Sequence, residues 1–102
     1  MAEARFRIEL WPSAQRELDA LRAFEKRKLA DAMKSQLSYE PLVVTRNRKP
    51  LPNIAAPFEF ELPLWELKVG EYRVFYDVSK ENVNVRSIRL KPPGKTTAEI
   101  LQ

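Results

Sequence analysis

Hydrophobic residues alternate with polar ones near both ends of the chain and recur at helical spacing between them. In residues 5–11, Phe6, Ile8 and Leu10 alternate with Arg5, Arg7 and Glu9, the period-two pattern of a strand with one face on a core. Trp11-Pro12-Ser13 stops that strand. Ser13 can cap a helix, and Pro12 can occupy a first turn, where its missing N–H has no partner to lose. Ala14, Leu18 and Leu21 follow on one helical face, and Leu29, Met33 and Leu37 on another, with Lys26, Arg27 and Lys28 between the two sets. A single helix over this stretch would be about 39 Å long at 1.5 Å per residue. The pattern therefore predicts a helical pair, turning near Ala23 to Lys26.

Residues 41–63 carry Pro41, Pro50, Pro52, Pro57 and Pro63, which interrupt any long element. Within them, Thr45-Arg46-Asn47-Arg48-Lys49 reads as a basic loop. The last third predicts three strands: Leu64 to Val69, Tyr72 to Val78 and Val83 to Leu90. Gly70-Glu71 and Ser79-Lys80-Glu81-Asn82 form the turns, and a Gly at the first loop position suits a tight hairpin. Those turns pair Val69 with Tyr72, Leu67 with Val74, Trp65 with Tyr76, Val78 with Val83 and Tyr76 with Val85.

One face then carries Trp65, Leu67, Val69, Tyr72, Val74, Tyr76, Val78, Val83 and Val85. Phe6, Ile8 and Leu10 join it, and the helices cover it. Ser87 and Arg89 also fall on this face, so the pattern weakens along the third strand. The opposite face carries Glu66, Lys68, Arg73, Phe75, Asp77, Asn84, Arg86 and Ile88. It is expected to be open and charged, with Arg73 and Arg86 exposed on diagonal positions. A one-residue slip would mix the two sets. The fold class is α+β: an antiparallel β-sheet with an N-terminal helical pair on one face, in one domain over residues 1–102.

Composition narrows the chemistry. With 102 residues, one core of modest size is expected. There is no Cys and no His, which removes disulfides, thiolate–zinc sites and the commonest general base. Two glycines cannot make a dinucleotide fingerprint. No metal-ligand spacing occurs, and no cofactor is expected. The N-terminus lacks an apolar leader and no apolar run approaches a membrane span, so a cytoplasmic location is expected and no membrane partner. Eighteen Lys and Arg against 14 Asp and Glu give +4, an excess that favours a polyanionic partner. Guanidinium groups hold phosphate bidentately, and a neighbouring ring can stack on an unpaired base. Arg73, Arg86, Lys68 and Phe75 thus form a candidate single-stranded RNA surface.

The segment Trp65-Glu66-Leu67-Lys68-Val69-Gly70-Glu71-Tyr72-Arg73-Val74-Phe75-Tyr76 resembles the hallmark of RelE/ParE toxins of type II toxin–antitoxin systems. That hallmark is a strand ending in Glu-Leu-Arg, a Gly turn, then Tyr-Arg-Val and an aromatic; Lys68 stands where the pattern has Arg. Lys49-Pro50-Leu51 resembles the upstream Lys-x-Leu, and the Ala14, Leu18, Leu21 helix matches in place and spacing. The resemblance implies a metal-independent endoribonuclease that cuts mRNA on the ribosome and blocks translation. It implies Arg73, Arg86 and Lys49 as catalytic groups and Arg46, Arg48, Lys68, Phe75, Arg89 and Lys91 as RNA-binding ones. Proton transfer would fall to a lysine, to Asp77 or to ribosomal groups. The alternative is the ParE branch, which inhibits DNA gyrase by binding. The tail Lys95 to Gln102 lacks the Tyr many RelE-like toxins carry there, a feature that favours this second branch. Either branch implies a cognate antitoxin, expected as an acidic segment that folds on binding and anchors on Phe75 and Ile88.

Overall fold

The computed structural model describes residues 5–102; residues 1–4, where the sequence reading expected no apolar leader, lie outside them. The elements run β1 (Arg7–Leu10), α1 (Pro12–Asp19), α2 (Ala23–Leu37), β2 (Arg48–Leu51), β3 (Leu64–Val69), β4 (Tyr72–Ser79), β5 (Asn82–Leu90) and α3 (Thr97–Ile100). The five strands form one sheet ordered β1-β5-β4-β3-β2. The fold is α+β and the sheet mostly antiparallel; the exception is β1, which lies parallel to β5, with Ile8 beside Val83 and Leu10 beside Val85. Among the described residues no helix is long and apolar enough to cross a membrane.

The helical pair forms with its corner at Ala20 to Arg22, earlier than the expected Ala23 to Lys26. Lys26, Arg27 and Lys28 are the exposed side of α2's first turns, not its boundary. Half-buried Leu21 drops into the core from the corner itself, and Lys26 reaches back to Asp19 at 2.9 Å. Ala14, Leu18, Leu29, Met33 and Leu37 bury against Trp65, Leu67, Val69, Val74, Tyr76, Val83 and Val85. Tyr76 is fully buried, donates its hydroxyl to the Pro41 carbonyl at 2.6 Å, and has its phenol pushed well above the ordinary range by burial.

Both hairpins have the expected pairings at their turns. Gly70 sits at φ +59°, which suits the first loop position of a tight hairpin. The register of the second hairpin then changes. A β-bulge at Phe75/Tyr76 inserts Arg86 as the extra residue, so Phe75 pairs with Ser87, Val74 with Ile88 and Arg73 with Arg89. Beyond it every β5 side chain swaps faces. Ile88 joins the helix-side core, contrary to its expected place, while Ser87 and Arg89 leave that face. The apparent weakening of the pattern along β5 is this bulge.

Where β1 ends, the edge of β5 would be left unpaired, and α1 caps it. Trp11 N–H donates to the Val85 carbonyl at 2.9 Å and Ser13 Oγ to the Arg86 carbonyl at 2.6 Å. Glu17 accepts from Ile88 N–H at 3.0 Å and from Ser87 Oγ at 2.9 Å.

The second face is not open. Leu51, Leu64, Phe75 and Leu101 form a second core, roofed by Ile54, Ala56, Phe58 and Phe60 of the proline-rich segment and by Ile100. Proline keeps this segment out of the ladder while its apolar side chains cover the sheet. Part of the expected basic loop is strand β2, antiparallel to β3, with Arg48 opposite Leu67 and Lys49 opposite Glu66.

Asp77 ties these layers together. Its carboxylate is 1% exposed and accepts from Arg86 Nε at 2.7 Å, Arg86 Nη2 at 3.1 Å, Asn84 Nδ2 at 2.9 Å and Glu61 N–H at 2.8 Å. The Arg86 guanidinium also lies over the Trp11 ring, 3.9 Å from its centroid. Removing one partner of such a pair strands a buried charge. Asp77→Ala should therefore lower the unfolding free energy by about 3–5 kcal/mol. Urea denaturation tests this; a loss below about 1 kcal/mol, the scale of a surface pair, would mean the pair does not hold the fold.

Candidate functional site

Five cations converge on one cleft of about 250 Å³: Arg46, Lys49, Lys68, Arg73 and Lys91, with Asn47, Glu66 and Thr97. They come from separate segments, and backbone pairing brings them together. Lys49 lies opposite Glu66 on β2 and β3, and Lys68 lies opposite Arg73 across the first hairpin. Asn47 carbonyl accepts from Lys68 N–H at 2.8 Å, which holds the Arg46 loop beside the sheet. Lys91 N–H donates to the Glu71 carbonyl at 2.7 Å, which brings the end of β5 to the hairpin turn.

Arg73 is 9% exposed, so the expectation of a freely exposed residue is corrected. It is not under the helices. It lies on the second face and donates from Nη1 to the carbonyls of Gly70 and Tyr72, both at 2.9 Å. These bonds fix the plane of the guanidinium, while Nε and Nη2 have no hydrogen-bond partner among the described residues. A preorganised fork of this kind loses little entropy on gripping a phosphate.

The tail makes the opposite wall. Thr96 and Glu99 cap α3 reciprocally, Leu101 inserts into the second core, and Thr97 donates its hydroxyl to Glu66 Oε2 at 2.6 Å. Glu66 is 4% exposed and its Oε1 lies 4.0 Å from Lys49 Nζ. Alternation already puts Glu66 on this face; its role in the cleft depends on the tail folding back, for which the sequence carries no local signal. The same holds for Thr97.

Four other candidate residues lie elsewhere. Arg48 points to the helix side, is 7% exposed and donates to the Gln36 carbonyl of α2, so it is a structural group. Phe75 is fully buried in the second core and offers no ring for a base. Arg86 is 4% exposed and committed to Asp77; the bulge moves it away from the Arg73 diagonal. Arg89 takes the position opposite Arg73, but it braces the tail, donating to Ser87 Oγ at 3.0 Å and to the Ile100 carbonyl at 2.9 Å. Asp77 has both carboxylate oxygens occupied by its four donors and is not part of the cleft lining. The expected antitoxin anchors Phe75 and Ile88 are both interior. Among the described residues no group of three or more acidic side chains could hold a metal ion.

This architecture, a mostly antiparallel sheet with a helical pair on one face and the chain's tail on the other, is the RelE fold. Over 88% of its length the chain is similar to 95% of a chain in the crystal structure of the toxin–antitoxin complex RelBE2 from Mycobacterium tuberculosis, with a TM-score of 0.67 and 22% identity. Over 89% it is similar to 98% of a chain in the archaeal RelE–RelB complex from Pyrococcus horikoshii, with a TM-score of 0.60 and 21% identity. No protein-family model and no curated protein matches the sequence.

Chemically, five cations around one carboxylate make a site for a polyanion. Inorganic polyphosphate should shield Lys49, Lys68 and Lys91 from amine acylation, while Lys26 and Lys80, outside the cleft, keep their reactivity. Mass-spectrometric footprinting reads this directly; equal protection of all five lysines would mean diffuse charge rather than a site.

Proposed function

We propose that the chain is the toxin of a type II toxin–antitoxin system and an endoribonuclease that cuts mRNA on the translating ribosome. The observation that carries this reading is the convergence of Arg46, Lys49, Lys68, Arg73 and Lys91 in one narrow cleft on the face away from the helices. In RNA cleavage by internal transesterification, the 2′-oxygen attacks the adjacent phosphorus and negative charge accumulates on the phosphate oxygens. Fixed cations around that phosphate stabilise the transition state more than the ground state. Arg73, held by two backbone carbonyls, is best placed to grip the phosphate in a set orientation; Lys49, Lys68, Arg46 and Lys91 supply the surrounding field.

Among the described residues the cleft's lining includes no aromatic ring. Base stacking therefore adds nothing there, and affinity for free RNA rests on phosphate contacts that salt weakens. This supports a reaction in which the ribosome holds and orients the mRNA. The likeness to chains of two toxin–antitoxin complexes supports a cognate antitoxin as partner. The net charge of +4 suits an acidic one, and the exposed run Leu42, Val43 and Val44 offers apolar anchorage in place of Phe75 and Ile88.

Induction with pulse-labelling tests the reading. Amino-acid incorporation should stop before any DNA-damage response, with mRNA cut at ribosome-bound positions. Arg73→Ala, folded and still bound by the antitoxin, should lose growth arrest and cut about 10²–10³-fold more slowly, the scale for removing one oxyanion donor. An early DNA-damage response with translation intact would establish the gyrase-binding alternative instead.

A further inference from the structure

We propose that Glu66 is the general base of the cleft, an inference that rests on the ribonuclease reading above. Cleavage by internal transesterification needs a group to take the 2′-hydroxyl proton, and the chain has no histidine. The other carboxylate on this face, Asp77, is saturated by four donors from Arg86, Asn84 and Glu61. Two phenols are also out of reach. Tyr76 is fully buried on the helix side, and Tyr72 has its hydroxyl bound by Glu25. Among the described residues Glu66 is the one carboxylate in the cleft lining. It faces Lys49 on β2, Lys68 and Arg73 on β3 and β4, Arg46 in the preceding loop and Lys91 after β5.

Its geometry fits a base rather than a plain counter-ion. Oε2 is occupied by the Thr97 hydroxyl at 2.6 Å, which fixes the carboxylate from the tail side. The nearest cation to Oε1, Lys49 Nζ, is 4.0 Å away, beyond hydrogen-bond length, so Oε1 keeps a lone pair for an incoming donor. In the step, Oε1 takes the 2′-hydroxyl proton as the 2′-oxygen bonds to phosphorus. The P–O5′ bond breaks, its electron pair leaves on O5′, and a cleft lysine ammonium returns a proton to that oxygen. The products are a 2′,3′-cyclic phosphate and a 5′-hydroxyl, and solvent restores both side chains.

Single-turnover cleavage on programmed ribosomes tests this with the full-length protein. Glu66→Gln keeps size and the Thr97 bond; it should cut at least about 100-fold more slowly, the scale for a general base. Its binding to mRNA-programmed ribosomes should be unchanged or tighter, since it removes a negative charge from a phosphate site. A substrate with sulfur at the 5′-bridging position needs no proton on its leaving group. It should rescue loss of an acid and should not rescue Glu66→Gln. Glu66→Asp, which keeps a carboxylate, should cut faster than Glu66→Gln. If wild type cuts and Glu66→Gln falls by less than about 100-fold, is rescued by sulfur, binds more weakly, or matches Glu66→Asp, the assignment is wrong while the ribonuclease reading stands. If wild type cuts nothing on ribosomes, the ribonuclease reading itself fails.

Discussion

The buried Asp77–Arg86 pair is the constraint on which both faces of the sheet depend. Arg86 is the extra residue of a bulge, and a bulge must be held against the pull of a regular ladder. Asp77 holds it with two bonds to the guanidinium, and Trp11 stacks on its other side. The same carboxylate accepts from Glu61 N–H, which ties down the proline-rich roof of the second core. Without the bulge, Ile88 would face the cleft side and Arg89 the helices, an apolar residue and a charge each on the wrong surface.

From that constraint the site follows in steps. With the second core closed by the proline-rich segment and by Leu101, the tail returns across the sheet and Thr97 reaches Glu66. The cleft is what remains between the roofed region and the first hairpin. Packing thus brings together cations that would otherwise repel, and the one carboxylate among them offsets part of that repulsion. It is a site poised to gain from an incoming phosphate, because the protein itself supplies little compensating charge.

Much of this is legible in the residues. Alternation along β3 and β4 and the two turns lead to the correct pairings at the hairpins, and helical spacing leads to the right core residues on α1 and α2. Period-two reasoning assumes an unbroken ladder, however, and carries Arg86 and Ile88 to the wrong places after the bulge. Nor does it show that apolar residues scattered among prolines, such as Ile54, Phe58 and Phe60, cover a sheet face, which turns Phe75 from a candidate ligand contact into core. Arg48 is lost to the site for a related reason. A strand hidden inside a basic run gives its residues alternate directions, so Lys49 enters the cleft while Arg48 goes under α2. Arg46, Lys68 and Lys91 are cations with no apolar role in the pattern. Charge and resemblance alone point to Arg46 and Lys91, alternation also places Lys68 beside Arg73, and the meeting point of the three exists only once the chain has closed.

The most direct measurement of the central claim, that the cleft is where the mRNA backbone binds, is the structure of the protein on a ribosome whose mRNA carries a 2′-O-methyl block at the cleavage position. The expected result is a phosphate in the cleft, gripped by Arg73, with the blocked 2′-oxygen toward Glu66 and the helix pair turned away from the mRNA. An mRNA lying along α2 instead, with Arg73 and Glu66 facing solvent, would contradict it.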